Sequence, residues 1–413
     1  RSIPIFPERC ATCIRYNTCM IGISKLYCGT VEASDPLRYG RQSGKLPSHL
    51  LQFSADKKPV VVWNCTRQCN LRCIHCYATA TCGPAPDELT GDEARAMIDD
   101  LGKFGSPVIL FSGGEPTMRP DLLELIAHAR SAGLRAVIST NGTLITRELA
   151  DKLGQKGLSY VGVSLDGLEP VHDRFRGVAG SFQQALEGIR NCLAAGVKVG
   201  LRFTLNKQNV ADLPGIFDLI EREGIPRVCF YHLVYTGRGD KLRDATLSSE
   251  QTRATVDLIM DRTKAMHDAG RAVEVLTVDN HADGPYVYLR LRKENPERAA
   301  GCLELLNMNG GNSTGVGIGC VSWNGDVMPD QFWRHHVLGN VRKRPFSEIW
   351  TDPADPLLSK LRNRKQHMKC RCMNCRWLSV CNGNFRARAE AVTGDMWGDD
   401  PACYLTDEEI AAE

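Results

Sequence analysis

The sequence predicts an α/β fold, a partial (β/α)6 TIM-like barrel followed by a smaller cysteine-bearing C-terminal domain, and three observations carry that prediction. Six short β-rich runs alternate with amphipathic helical patterns from Pro59 to about Leu233, as in a parallel sheet that curls towards a barrel with its helices outside. Most of the eighteen cysteines fall in three groups, one directly after the first β-rich run and one near the C-terminus. The 413 residues suffice for a barrel of roughly 200–250 residues plus appendages.

In chain order, residues 1–58 read as a loop-rich, cysteine-containing extension. The β-rich runs follow: "VVVWN" (60–64), "PVILFSGG" (107–114), "RAVISTNG" (135–142), "YVGVSLDG" (160–167), "VGLRFTLN" (199–206) and "RVCFYHL" (227–233). Between them, stretches such as "TGDEARAMIDDLGKFG" and "SFQQALEGIRNCLAAG" repeat apolar residues at helical spacing, the second ending at Gly196, where a helix C-cap is expected. This order collects the loops at the strand C-terminal ends, so the chemistry is expected on that rim. "DNHADGPY" and "GGNSTGVG" (310–317) suggest a break, which divides the chain into the extension 1–58, a barrel over 59–285 and a C-terminal domain over 300–413. No solenoid repeat is present, but Cys10-x2-Cys13-x5-Cys19 shares the spacing of Cys372-x2-Cys375-x5-Cys381.

A hydrophobic share of 43% and a charged share of 24% are ordinary for a globular protein. Fifty-one basic against forty-eight acidic side chains leave +3, too little to recruit nucleic acid or an anionic membrane by bulk charge. No apolar run reaches the roughly 18–20 residues of a spanning helix, and "RSIPIFPERC" lacks a signal pattern, so a cytoplasmic protein without membrane or nucleic-acid partners is expected. In that reducing compartment the cysteines read as metal or catalytic thiols. Cys192 and Cys229, in apolar surroundings, read instead as inert core residues.

Cys69-x3-Cys73-x2-Cys76 follows the first strand and so lies in the first βα loop. Three thiolates can hold three irons of a [4Fe–4S] cube and leave the fourth open to a non-protein ligand; with His75 they could equally make a zinc site. Cys65, at the strand's end, reads as a buried core thiol, and Cys82 is unassigned. The loop, with Tyr77 behind it, resembles the signature of the radical S-adenosylmethionine (SAM) superfamily, and "FSGGEP" resembles that family's SAM-amino motif, for which a zinc knuckle has no use. The resemblance implies an oxygen-sensitive enzyme in which Cys69, Cys73 and Cys76 hold a catalytic [4Fe–4S] cluster chelated by SAM. Tyr77 would lie near the adenine, and Gly113, Gly114, Glu115 and Pro116 would receive the ammonium group. Ser139 and Asn141 in "STNG" and Ser164 and Asp166 in "VSLDG" are polar groups aimed where ribose hydroxyls would lie, and Arg202 matches a position that commonly meets the SAM carboxylate.

The tail resembles a SPASM domain, the iron–sulfur extension of many radical SAM enzymes. Cys372, Cys375, Cys381 and Cys403 match one complete four-thiolate set, which implies one auxiliary [4Fe–4S] cluster; by spacing alone a four-cysteine zinc ribbon remains open. The second set of that family is broken: the cysteine expected five residues after Gly325 is Asp330, another is Phe385, and Cys320 survives alone. Cys10, Cys13, Cys19 and Cys28 could form a third site, although Met20 could equally be a start, with residues 1–19 outside the native protein.

A narrower resemblance, through "ISKLYCGTVEASDPLRYGR", "KPVVVWNCTRQCNLRCIHCY" and the single-cluster tail, is to the radical SAM proteins that modify iron-bound tetrapyrroles in siroheme-dependent heme and heme d1 biosynthesis. It implies removal of two acetate side chains from 12,18-didecarboxysiroheme to give Fe-coproporphyrin III, with electrons from a low-potential donor such as flavodoxin or ferredoxin. Those acetates sit on saturated ring carbons, so their loss restores a fully conjugated macrocycle. For the substrate's carboxylates, Arg174, Arg176 and Arg238 are candidates on the rim. His335 or His336 is a candidate axial ligand to its iron. The alternatives are heme d1 synthesis or Fe-coproporphyrin decarboxylation, a peptide-maturing radical SAM enzyme, and a non-catalytic iron–sulfur carrier, which would need neither the GGEP motif nor the polar strand ends.

Overall fold

In the computed structural model, which describes residues 20–30 and 58–411, eleven strands among those residues share one sheet. They are β1 (Met20–Gly22), β2 (Val60–Thr66), β3 (Val108–Gly113), β4 (Arg135–Thr140), β5 (Tyr160–Ser164), β6 (Val199–Leu205), β7 (Arg227–His232), β8 (Glu274–Val278), β9 (Ile318–Val321), β10 (Asp326–Met328) and β11 (Gly339–Asn340). Their order is β1-β8-β7-β6-β5-β4-β3-β2-β9-β10-β11, and β2 to β8 run parallel throughout. The six expected strands are therefore present as a partial barrel. Two departures lie at its β7 edge. A seventh parallel strand, β8, extends the sheet, and the antiparallel β1 closes that edge from a segment expected to be loop.

The helices form for reasons visible in their sequences. Gly91–Phe104 opens on a capping box, with the Glu93 N–H donating to Thr90 Oγ1 and the Glu93 carboxylate accepting from the Thr90 N–H. It ends at Gly105, whose φ of +84° suits glycine, and it buries Ala94, Met97, Ile98 and Leu101, a stripe at helical spacing. Helix Ser181–Ala194 likewise buries Phe182, Ala185, Leu186, Ile189 and Cys192, and Gly196 beyond it sits at φ +68°. These faces pack on Trp63, Phe111, Ile138, Val161, Phe203 and Phe230 of the strands to make one main core.

The break expected at "DNHADGPY" is a helix start instead. Asp283–Glu294 begins there, with Pro285 tolerated in its first turn, and Pro296–Asn309 follows after Asn295, so residues 285 and 300 both lie inside helices. The C-terminal part continues the barrel's own sheet. β9 pairs in parallel with β2, and β10 and β11 follow as an antiparallel meander. Arg342 Nε donates to Glu93 Oε1 at 2.7 Å, and Ser347 donates through N and Oγ to Asp100 at 2.9 and 2.6 Å, which ties this part to the first barrel helix. No helix among the described residues is long and apolar enough to cross a membrane.

Candidate active site

The C-terminal ends of β2 to β8 surround one cavity, lined by the first βα loop and by the residues at the strand ends. Cys69, Cys73, Cys76, Tyr77, Gly113, Gly114, Ser139, Asn141, Ser164 and Arg202 all line it, so ten residues singled out from separate loops meet there.

The cysteine loop is fixed through its backbone. The Cys69 N–H donates to Thr81 O (2.8 Å), and the N–H groups of Arg72 and Ile74 donate to Arg176 O and Phe175 O (both 3.0 Å) at the end of helix Glu169–Arg176. Arg238 donates to Cys73 O (2.8 Å) and Ala80 O (3.0 Å), and Arg334 to Ala78 O (2.8 Å). A buried carbonyl without a donor is destabilising, so these two arginines, with the C-terminus of the helix, determine the loop's path.

The thiols suit a cluster better than a mononuclear ion. Cys69 and Cys73 are buried and Cys76 partly so. Burial pushes the Cys69 thiol up to about 12, a little relieved by the Leu71 N–H, and burial likewise raises Cys73 against the nearby Arg176 charge. Without a cationic partner these groups are neutral thiols at pH 7; bound iron is what would hold them as thiolates. Tetrahedral zinc keeps its sulfurs about 3.8 Å apart, whereas no three cysteines among the described residues bring their sulfurs within 4.8 Å of one another. His75, the fourth ligand of the zinc alternative, turns its Nε2 to Asp166 Oδ2 at 3.3 Å. Two cations, Arg176 and Arg238, also line the cavity, as suits a negatively charged cluster.

Several of the expected residues carry contacts of their own in the structure. Glu115 does not line the cavity: its carboxylate accepts from Thr117 N (3.1 Å), Thr117 Oγ1 (2.6 Å), Thr140 Oγ1 (2.6 Å) and Asn141 N (2.7 Å), binding the ends of β3 and β4 together instead of standing open to an ammonium group. Pro116 starts the short turn Pro116–Met118 and is buried. Asp166 is fully buried and pairs with Arg176 while accepting from Thr204 N at 2.7 Å, so it supports the site from behind instead of facing a ribose. Of the three rim arginines, Arg174 is exposed away from the cavity, Arg176 donates to Cys73 Sγ at 3.5 Å, and Arg238 clamps the loop. His335 and His336 are not among the lining residues, and both turn to Glu390. Tyr77 is anchored by Asn64 Oδ1 (3.0 Å) and Ser112 Oγ (2.8 Å), with Phe332 edge-on at 5.3 Å. Cys65 is buried against Ser112 O, and Cys82 is exposed.

Sequence reasoning missed His232 and Asp279. Both line the cavity, His232 with its Nε2 2.9 Å from the buried Asp283 Oδ2, which holds the ring in place. The signal was their position at strand ends: His232 closes β7, and Asp279 directly follows β8, the strand that went unread.

The C-terminal thiols form a second focus. Cys372 lies within electrostatic reach of Cys381 and Cys403, and Cys381 and Cys403 within that of Cys375, while burial raises all four. Cys403 is brought back to the others by a fully buried, two-pronged pair in which Arg388 Nε and Nη2 each lie 2.8 Å from Asp400. The broken set is closed by other chemistry. Asp330 accepts from Thr314 Oγ1 and from the N–H groups of Phe332 and Trp333, and Phe385 packs with Val234, Trp333 and Leu361. Cys320 is buried against Asn64. Cys10, Cys13 and Cys19 lie outside the described residues; Cys28 is partly buried beside Arg298.

Comparisons with known proteins agree with this geometry. The model of the Radical SAM superfamily matches residues 63–220, and that of the SPASM iron–sulfur cluster-binding domain matches residues 317–376. The chain is 67% identical, over 95% of its length and 99% of the relative's, to the Fe-coproporphyrin III synthase of Methanosarcina barkeri. It is 43% identical to the pre-heme d1 synthase of Dinoroseobacter shibae, over 84% of its length and 87% of the relative's. It is 34% identical to the AdoMet-dependent heme synthase of Nitratidesulfovibrio vulgaris, over 83% and 91%. Among solved structures, Streptococcus suis SuiB bound to precursor peptide SuiA superposes with a TM-score of 0.66 at 18% identity, covering 84% of this chain and 76% of that one, which is a likeness of fold.

Proposed function

The chain belongs to the radical SAM superfamily, and from that membership we propose that it forms Fe-coproporphyrin III by removing the two acetate side chains of 12,18-didecarboxysiroheme. One observation carries this reading: the likeness to an Fe-coproporphyrin III synthase is 67% and nearly full-length, against 43% and 34% for the relatives named for heme d1 and heme synthesis. Its cofactors are SAM, a SAM-binding [4Fe–4S] cluster and an auxiliary [4Fe–4S] cluster.

Cys69, Cys73 and Cys76 would hold the first cluster, in the barrel, and Cys372, Cys375, Cys381 and Cys403 the second, in the C-terminal part. When bound, SAM and its cluster supply a carbon-centred radical to the substrate. The chain's own residues bind and orient. Arg238, Arg334 and the end of helix Glu169–Arg176 hold the thiol loop still. Glu115 fixes the Asn141 backbone beside Gly113 and Gly114, leaving these glycines, Ser139 and Ser164 to meet SAM. Leu233, Val234 and Phe332 give the cavity an apolar wall for a macrocycle. Electrons would come from a low-potential flavodoxin or ferredoxin.

The test is anaerobic binding and SAM cleavage. Didecarboxysiroheme should shift its Soret band on addition of the protein, and the triple change of Cys69, Cys73 and Cys76 to Ala should abolish 5′-deoxyadenosine formation while retaining C-terminal iron. SAM cleavage without tetrapyrrole binding would replace this reading with the peptide-maturing one.

A further inference from the structure

Three side chains converge on a point that the proposed reaction leaves unused. Asp330 accepts from the N–H groups of Phe332 and Trp333, turning the chain so that His335 and His336 follow closely behind the cavity-lining Gln331 and Phe332. Helix Arg386–Thr393 brings Glu390 to them. His335 Nε2 lies 3.0 Å from Glu390 Oε2, and His336 Nε2 lies 3.0 and 3.2 Å from Oε1 and Oε2. Among the described residues this is the one group of three or more His, Cys, Asp or Glu whose ligand atoms all lie within 4.8 Å of one another.

The group has the build of a site. The fully buried Trp333 donates its Nε1–H to Glu390 from behind and stacks edge-on against His336 at 4.9 Å, the outer support that orients a metal-binding carboxylate. The His335 side chain is 66% exposed while His336 and Glu390 are 22% and 19% exposed, so a half-enclosed floor has an open side for entry. Ligand bonds of about 2.0–2.2 Å in tetrahedral array put donor atoms about 3.3 Å apart, close to the spacings present. Two imidazoles and one carboxylate suit zinc and iron(II) among first-row cations.

We propose that His335, His336 and Glu390 bind a first-row divalent cation of the zinc or iron(II) class. Its open coordination positions would lie on the exposed side of His335, able to take an anionic oxygen from a ligand in solution.

The probe is Zn2+ alone, titrated calorimetrically into the anaerobic, cluster-loaded protein with the cluster absorbance followed in parallel. One Zn2+ per chain should bind without change in that absorbance, with affinity at least tenfold weaker in His335→Ala and in Glu390→Gln. His335 is exposed enough for its substitution to leave the fold intact, which an unchanged melting curve checks. No binding in the unaltered protein, or equal stoichiometry and affinity in His335→Ala, would overturn the proposal.

Discussion

Arg176 is the side chain whose role differs most between sequence and structure. It stands ready-placed for a substrate carboxylate in the sequence; in the fold it donates to Cys73 Sγ at 3.5 Å and is charge-balanced by the buried Asp166. A donor and a positive charge at a ligand sulfur favour the more negative, reduced state of a cluster. Arg176→Gln should therefore lower the midpoint potential of the SAM-binding cluster, by about 60 mV for each decade lost in the one-electron equilibrium. Arg176→Lys, which keeps the charge, should shift it less, and an EPR-monitored redox titration reads both. Asp279 makes a second residue-scale prediction. Burial, reinforced by Asp330 and opposed by Arg388, raises its carboxyl to about 8. The folded state then binds a proton that the unfolded state releases near pH 4, so this group's stabilisation is complete at low pH and is lost as pH rises towards 8. Asp279→Asn should flatten the fall in melting temperature between pH 6 and 8; an unchanged slope would contradict the assignment. At this scale the cysteine loop was legible because its ligands are fixed in spacing. The arginines were not, because nothing in a sequence tells whether a donor meets a substrate or a carbonyl of its own chain.

At the scale of elements, the six central strands were legible because each is a short run rich in β-branched and aromatic residues between helical patterns. The marginal ones were not. β8 is five residues followed by "DNHADG", whose polar and turn-forming residues mask the helix it leads into. β1 and β9 are short strands stabilised by partners far away in sequence, a tertiary effect outweighing local pattern, and β10 and β11 build on β9. The junction of β3 with the cysteine loop carries its own prediction. The N–H groups of Gly114 and Glu115 donate to Thr66 O (2.8 Å) and Gln68 O (2.7 Å), and a Cβ on Gly114 would run into the Gln68 carbonyl oxygen. Gly114→Ala must push the loop aside, so it should cost about 1–3 kcal/mol of stability. The same change should reduce SAM affinity as seen by equilibrium dialysis, while iron at the C-terminal thiols stays. Full SAM affinity in that variant would mean that this close approach is not needed.

At the scale of the whole molecule, β9 against β2 makes the C-terminal part an extension of the barrel sheet, and Arg342 and Ser347 fasten it to the first barrel helix. The two thiol groups thus belong to one continuous framework. Anaerobically reconstituted protein should carry roughly eight irons per chain from its two thiol groups, and roughly twelve if the N-terminal cysteines hold a third cluster. Changing Cys372, Cys375, Cys381 and Cys403 together to Ser should remove about four irons, and stoichiometric zinc in their place would restore the ribbon alternative. The function itself is tested most directly by mass spectrometry of the tetrapyrrole after anaerobic incubation with the protein, SAM and a low-potential reductant. Didecarboxysiroheme should be converted to a species with the mass of Fe-coproporphyrin III, accompanied by 5′-deoxyadenosine and absent in the protein lacking Cys69, Cys73 and Cys76. Recovery of the substrate unchanged, bound and in the presence of SAM cleavage, would contradict the account.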